Sequence, residues 1–242
     1  MVCKLCGRNE PLVRAHIIPR SFYKQLMQLD PSAPLEVLSN RSDTYARKSW
    51  TGIYDTGILC GICERTFSPW DDYAQKVLLA EPPEDKYISV GGRRAGYEIE
   101  GVDYERLKLF FVSVLWRSSV STEMFFSRIN VGPFQSALNT MIRQGDPGAP
   151  DTFAVSLARF DHELGLVKFD PYRNRFAGVN YYVFYMAGYV VYIKVDSRPV
   201  PTPLDSFVLS PHSPLRVITR DFSKSKELEI AYKIIRKAES RK

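Results

Sequence analysis

The chain has 242 residues, of which 45 % are hydrophobic and 25 % charged, and its formal net charge is +6 at pH 7. This composition is typical of a folded globular protein and excludes a disordered or low-complexity chain. No uninterrupted apolar run approaches the ~20 residues that a membrane-spanning helix needs, so no membrane partner is expected. The positive charge suits a nucleic-acid partner, although it is compatible with many other functions.

The four cysteines form two pairs of identical spacing, Cys3 with Cys6 and Cys60 with Cys63. Two such pairs supply four thiolates, which is the ligand set of a closed tetrahedral Zn²⁺ site. Two disulfides or a redox-active thiol pair are the alternatives. The N-terminus shows no apolar segment typical of a secretory signal, so a reducing, cytoplasmic location is expected and structural Zn²⁺ is favoured.

Residues 1–80 are predicted to form a small domain held together by this zinc. In chain order, the predicted elements are a strand at 12–17, a short helix at 20–27, a short strand at 35–38 and a helix that begins at the second cysteine pair. This part of the chain is rich in loops and has few apolar residues. Metal binding is therefore expected to contribute free energy of folding.

Residues 81–85 are predicted to be a linker, because two prolines with acidic flanks disfavour regular structure. Residues 86–242 are predicted to form a second domain of helices and β-hairpins, whose role the sequence does not define. The predicted helices are 104–118, 133–143 and 227–241. The predicted hairpins pair 87–90 with 97–99, 152–160 with 164–169, and 180–186 with 189–195.

Three histidines are candidates for proton transfer: His16, His162 and His212. His162 falls in a predicted hairpin turn and His212 in a loop bracketed by prolines, where polar side chains are most often surface residues. His16 follows the first cysteine pair, so the zinc site would fix it on a rigid scaffold, as a functional side chain requires. A packing residue at a strand end is the alternative interpretation of His16.

The order of these residues resembles the zinc-stapled, four-cysteine branch of the HNH (ββα-metal, His-Me finger) endonuclease superfamily. The resemblance covers the first third of the chain and is carried by Cys3-x-x-Cys6, His16, Asp55 and Cys60-x-x-Cys63-Glu64. Asp55 stands where the family usually has Asn, and Glu64 where it usually has His or Asn. Ala15 stands where the family commonly has a metal ligand.

The predicted elements indicate an α+β fold class, and the resemblance implies that a small zinc-stapled ββα-metal domain precedes the mixed helix and β-hairpin domain. It implies that His16 is the general base that takes a proton from the attacking water. One Mg²⁺ or Mn²⁺ would be held by Asp55 and Glu64, whose carboxylate oxygens suit hard cations. Asp71 and Asp72 are further candidate ligands.

These acidic residues also have simpler interpretations. Glu64 is an acid in the first turn of a predicted helix, where the helix dipole favours negative charge. Asp71 and Asp72 fall on the more polar side of that helix, where a solvated surface is the ordinary expectation.

Basic residues near His16 and at a predicted hairpin tip are candidates for contacts with DNA phosphates. Such contacts give affinity that depends on salt and not on base sequence. The candidates are Arg14, Arg20, Lys24, Arg47, Lys48, Arg93 and Arg94. A solvated surface is the alternative interpretation of such charges.

Together these features predict a metal-dependent DNA endonuclease, and the resemblance associates it with bacterial or phage defence. Two alternatives stay open. One is a non-catalytic zinc-knuckle protein that binds DNA or RNA through the same surface. The other is an interaction module in which the second domain binds a protein partner. Ala15 favours these alternatives, whereas the positions of His16, Asp55 and Glu64 favour the enzyme; the oligomeric state is not predicted.

Overall fold

A computed structural model describes residues 1–24, 35–37, 47–49, 52–161 and 169–239 of the chain. The fold is α+β, as the sequence predicts, and its largest element is a seven-stranded mixed sheet. No helix within the described ranges is both long and apolar enough to cross a membrane.

The first third of the chain contains short strands and two helices. The strands are β1 (Ala15–His16), β2 (Leu35–Val37), β3 (Arg47–Ser49) and β4 (Tyr54–Asp55). β1 pairs with β4, and β2 pairs with β3, both antiparallel. The helices are α1 (Gly61–Thr66) and α2 (Ser68–Leu78).

Several predicted bounds in this region need correction. The single helix predicted after the second cysteine pair is divided at Phe67, where Pro69 enters the first turn of α2 and cannot donate a backbone hydrogen bond. The strand predicted at 12–17 is limited to β1 and an isolated bridge between Leu12 and Cys60. The helix predicted at 20–27 is a 3₁₀ turn at Arg20–Tyr23, and residues 25–27 lie outside the described ranges.

The seven-stranded sheet is built from the rest of the chain. Its strands are β5 (Tyr87–Val90), β6 (Arg93–Ile99), β7 (Val155–Phe160), β8 (Tyr172–Phe176), β9 (Val179–Met186), β10 (Tyr189–Lys194) and β11 (Leu215–Arg220). Their order is β5-β6-β11-β7-β10-β9-β8. Neighbours are antiparallel except β7 and β11, which are parallel.

Two of the three predicted hairpins are confirmed. β5 and β6 are joined at Gly91-Gly92, and β9 and β10 at Ala187-Gly188, where residues with positive φ make tight turns. The hairpin predicted between 152–160 and 164–169 is wrong, because β7 pairs with β10 on one edge and with β11 on the other. Residues 162–168 lie outside the described ranges.

Helices cover both faces of the sheet. They are α3 (Tyr104–Val120), α4 (Gln135–Gln144) and α5 (Lys226–Glu239). α3 packs against α2 and α4. Alternate residues of the strands enter two separate apolar clusters: Val191 belongs to the cluster that contains α3, and Val190 to the cluster that contains Ala231 of α5. This alternation has the period of two expected for a sheet buried on both faces.

One apolar core runs through both predicted domains. The cluster around α3 contains Ile17 and Phe67 from the first third of the chain together with Phe110 and Trp116 of α3. The predicted division at residues 81–85 stays a prediction. In the structure Glu81 forms an ion pair with Arg159 of β7, so the linker is attached to the sheet.

Lys108 is fully buried in α3, on a helix that is otherwise apolar almost all round. Its Nζ donates a hydrogen bond of 3.3 Å to Pro150 O. Asp151 lies nearby but forms its close ion pair with Lys194, at 2.6 Å. Burial is the main cause that lowers the pKa of Lys108 to about 7. The charged form of Lys108 is therefore destabilised inside the protein.

We expect the free energy of unfolding to rise with pH between about 7 and 10.5 because of Lys108. In that window the unfolded chain holds a proton that the folded chain has lost, which contributes up to about 1.4 kcal/mol per pH unit. Lys108→Met removes this dependence, so its stability advantage over the wild type should be largest at pH 7 and shrink by pH 9. Urea unfolding at pH 7 and at pH 9 measures the difference.

Lys76→Met is the matched control, because Lys76 is exposed on α2. It should leave the pH dependence of the wild type unchanged. Parallel stability curves for Lys108→Met and the wild type would contradict the prediction.

Candidate functional site

The first cysteine pair lies in a tight turn at the N-terminus. Gly7 N–H donates to Cys3 O at 2.9 Å, and Cys3 N–H donates to Arg8 O at 3.0 Å, which closes the turn. Gly7 has a φ of 73°, in the left-handed region that glycine adopts without strain. The turn places the thiols of Cys3 and Cys6 in one cluster.

The second cysteine pair lies at the start of α1. Cys60 is in extended conformation immediately before the helix, and Cys63 is buried in its first turn. Two backbone hydrogen bonds of 2.8 Å join this region to the first turn, from Lys4 N–H to Ile58 O and from Val13 N–H to Leu59 O. The backbone therefore holds the two pairs against each other.

The four thiols form a cluster that fits a tetrahedral zinc ion. All four Sγ atoms lie within 4.8 Å of one another. The distance from Cys6 Sγ to Cys60 Sγ is 3.9 Å, and the cysteines are not in disulfides. A Zn–S bond of ~2.3 Å in tetrahedral geometry separates the sulfurs by about 3.8 Å. The donor set, its spacing and its burial all suit Zn²⁺.

The surroundings of the cluster shift the pKa of two thiols, Cys6 and Cys63, in opposite directions. A hydrogen bond from the Arg8 side chain lowers the pKa of Cys6 to about 6. Burial raises the pKa of Cys63, so this thiol keeps its proton unless a cation is present. Zinc binds thiolates and displaces these protons. Arg8 would also offset part of the double negative charge of a zinc ion with four thiolates.

His16 and Asp55 lie on two paired strands, β1 and β4, which we call the His16 ribbon. The register sets Ala15 opposite Asp55 and His16 opposite Tyr54. Opposed side chains of an antiparallel pair share a face, and successive side chains alternate. His16 and Asp55 therefore lie on opposite faces. Ala15 and Asp55 are 0 % and 3 % exposed, whereas His16 and Tyr54 are half-buried.

The outer face of the His16 ribbon combines three kinds of side chain. The guanidinium of Arg14 lies 3.7 Å from the centroid of the Tyr54 ring, a close cation–π contact. The His16 and Tyr54 ring centroids are 6.0 Å apart, with the rings tilted by 60°. Arg14 is exposed. This face therefore carries a half-buried imidazole and a half-buried phenol beside an exposed guanidinium.

Asp55 on the inner face is fully engaged in hydrogen bonds. Its Oδ1 accepts from Gly57 N–H at 2.7 Å. Its Oδ2 accepts from Ser121 Oγ at 3.0 Å and from both Thr122 N–H, at 2.7 Å, and Thr122 Oγ1, at 3.0 Å. Burial alone raises the pKa of Asp55, but these hydrogen bonds outweigh it and hold the pKa below its ordinary value. Asp55 thus ties β4 to the end of α3.

The other predicted acids lie on α1 and α2. Glu64 is half-buried in the first turn of α1. Asp71 forms a buried ion pair with Arg117 of α3, and Asp72 is exposed. Within the described ranges, the four cysteines are the single group of three or more His, Cys, Asp or Glu residues able to hold a metal ion. His16, Asp55 and Glu64 do not belong to such a group, and a site for Mg²⁺ or Mn²⁺ formed by the two carboxylates Asp55 and Glu64 stays a prediction.

The predicted DNA contacts are placed as follows. Arg20 and Lys24 are exposed shortly after His16. Arg47 and Lys48 lie in β3, and their side chains are outside what the structure describes. Arg93 is exposed in the β5–β6 hairpin.

Arg94, by contrast, makes local contacts. Its guanidinium stacks 4.2 Å from the Tyr87 ring centroid and pairs with Glu84 at 2.6 Å.

The other two histidines are far from the His16 ribbon in the sequence. His212 is exposed in its loop, as predicted, and His162 is outside the described ranges.

Sequence reasoning missed three residues that contact the His16 ribbon. Arg117 donates a hydrogen bond to the His16 carbonyl, while Ser121 and Thr122 bind Asp55. Arg117 is a charge in a helix that is apolar nearly all round. A charged residue within an apolar helix is a sequence signal that Arg117 has a buried partner, but the sequence does not identify that partner.

We expect one Zn²⁺ per chain, bound by the four cysteines. Cys63→Ser removes a buried thiolate, so it should release the metal and unfold the region around the two cysteine pairs, because binding and folding are coupled. Elemental analysis and backbone amide exchange measure the two effects. His16→Ala is the control and should keep its zinc. Native protein that carries no zinc after purification without chelator would contradict the assignment.

We expect Asp55→Asn to destabilise the fold by about 2–3 kcal/mol, because the amide nitrogen cannot accept the hydrogen bonds that a buried carboxylate oxygen accepts. Zinc content should stay at one per chain. Urea unfolding with elemental analysis tests this. Asp72→Asn, on the exposed side of α2, is the control. An unchanged free energy of unfolding in Asp55→Asn would show that the carboxylate is not a structural tie.

Comparisons of the chain with protein family models, with curated proteins and with solved structures gave no match.

Proposed function

We propose that this chain is a DNA endonuclease in which His16 is the general base for phosphodiester hydrolysis. The observation that carries the proposal is the position of His16. It lies half-buried on the outer face of the ribbon formed by β1 and β4, and the helix that follows β4 begins at the four-cysteine cluster. The order of strand, strand and helix is the order that the HNH resemblance implies.

The chemistry assigned to the chain's own residues is simple. The neutral imidazole of His16 accepts a proton from a water molecule, whose oxygen attacks the phosphorus atom. The bond from phosphorus to the leaving oxygen breaks, and that oxygen takes a proton from solvent. The exposed charges of Arg14, Arg20 and Lys24 would attract the phosphates on either side.

We assign no step to Mg²⁺ or Mn²⁺. The resemblance implies such a cation, but both oxygens of Asp55 accept hydrogen bonds from the protein. Ala15 offers no ligand, and among the described residues Glu64 belongs to no group of three or more metal-ligating side chains. Dependence on either cation is therefore a result to be measured. A role in defence against foreign DNA is proposed on the resemblance alone, and a cytoplasmic location on the cysteine usage.

A non-catalytic DNA-binding or RNA-binding protein is the second candidate. One observation favours it: the residues opposite each other on the inner face of the ribbon, Ala15 and Asp55, are both buried and serve packing and hydrogen bonding. On this alternative the outer face binds phosphates without cleaving them. A protein partner for residues 86–242 is a further proposal that no contact in the structure supports.

We expect His16→Ala to reduce the nicking of supercoiled plasmid by the ~10²–10⁴-fold typical of a lost general base. Affinity for DNA and zinc content should be nearly unchanged. His212→Ala, in an exposed loop, is the matched control and should cleave like the wild type. Assays with Mg²⁺, with Mn²⁺ and with neither ion define the metal dependence.

The outcomes separate the two candidates. Equal nicking by the wild type and His16→Ala excludes His16 as the base. Binding of DNA that weakens with salt, without nicking under any metal condition, supports the non-catalytic candidate. Glu64→Gln tests whether Glu64 binds the cation. A higher metal concentration at the midpoint of a titration of nicking activity supports Glu64 as a ligand. An unchanged midpoint supports a role only as an acid in the first turn of a helix.

A further inference from the structure

Arg117 is a buried charge that joins α3 to the first third of the chain. Its side chain is 3 % exposed. Its NH1 group donates to His16 O at 3.0 Å and to Asp71 Oδ2 at 3.0 Å, and its NH2 group donates to Asp71 Oδ1 at 2.7 Å. The guanidinium is therefore shared between a carboxylate on α2 and the main chain of β1.

The orientation of this guanidinium is fixed from the other side. NH2 also donates to Ser113 Oγ at 3.0 Å, and Nε donates to Ser113 O at 3.4 Å. The Cζ atom of Arg117 lies 4.8 Å from the centroid of the Phe67 ring. All five N–H donors of Arg117 thus have an acceptor, which is the full donor capacity of a guanidinium. A group held in this way has one geometry.

The same end of α3 also holds the second strand of the His16 ribbon. Ser121 and Thr122 follow directly after the helix and donate three hydrogen bonds to Asp55 Oδ2. Arg117 thus fixes the main chain of β1, while Ser121 and Thr122 fix a side chain of β4. One helix end sets the position of both strands, and with them the position of His16.

A purely stabilising role does not require this arrangement. Replacing a buried ion pair by apolar residues is often neutral for stability, so the ion pair alone is weak evidence for a stabilising role. Among the described residues, the one main-chain acceptor outside α3 that Arg117 contacts is the carbonyl of the residue proposed as the base. We infer that Arg117 is a positioning residue for His16. Its effect on catalysis rests on the proposed function, whereas its effect on the His16 ribbon does not.

Arg117→Lys is the primary test. Lysine keeps the charge and can pair with Asp71, but it lacks the planar fork that reaches both Asp71 and the His16 carbonyl. Proton NMR of the imidazoles is the first readout, since the chain has three histidines and His16→Ala identifies the signal of His16. We expect the His16 signal and its titration midpoint to shift, with zinc content unchanged.

Cleavage is the second readout. We expect kcat for plasmid nicking to fall ~10–10²-fold in Arg117→Lys, as for a displaced catalytic group, with KM for DNA unchanged. Asp151→Asn is the matched control, because it breaks another ion pair of a buried cation, Lys194, on the sheet. This variant should have the same His16 NMR signal, the same kcat and the same KM for DNA as the wild type.

If Arg117→Lys does not fold, a second variant tests the same inference. Ser113→Ala removes one acceptor that orients the guanidinium and should shift the His16 signal less, in the same direction. An unchanged His16 signal in the folded variant overturns the inference. Wild-type protein that does not nick DNA refutes the proposed function, but the NMR result still decides whether Arg117 positions His16. Normal kcat in Arg117→Lys with an active wild type rejects the catalytic part.

Discussion

The four-thiol cluster is the constraint on which the first third of the chain depends. It joins Cys6 to Cys60 across a sequence separation of 54 residues. Closing a loop of this length costs conformational entropy, which the burial of residues such as Ile17, Phe22 and Ile53 offsets in part. A metal that bonds four thiolates supplies that free energy in one place. The His16 ribbon can keep a defined register because both its flanks are fixed by the same cluster.

Helix α3 also holds the His16 ribbon in place. Its two buried cations, Arg117 and Lys108, are accommodated in the core in different ways. Arg117 has an acceptor for every N–H donor and a carboxylate partner in Asp71. Lys108 has one hydrogen bond of 3.3 Å, to a backbone carbonyl, and burial lowers its pKa. The first arrangement keeps a charge inside the core in a fixed geometry. The second favours the neutral amine, so it links stability to pH.

Successive side chains of a strand point to opposite faces, so the His16 ribbon has one buried face and one outer face. Ala15 and Asp55 turn inward, where the small side chain and the hydrogen-bonded carboxylate meet the end of α3. Arg14, His16 and Tyr54 turn outward. This division explains how a residue that resembles a metal ligand in sequence serves as a structural tie in the fold. It also confines the candidate chemistry of the ribbon to its outer face.

The sequence by itself determined the features that depend on local spacing. The two cysteine pairs predicted the thiol cluster, glycine turns predicted the β5–β6 and β9–β10 hairpins, and apolar periodicity predicted α3. Tertiary structure decided the partners of β7, because β10 and β11 reach it from distant parts of the chain. It also decided that His16 and Asp55 face opposite ways and that Arg117 reaches the His16 carbonyl. Spacing along a chain specifies local conformation, whereas register and long-range hydrogen bonds are set only when distant segments pack together.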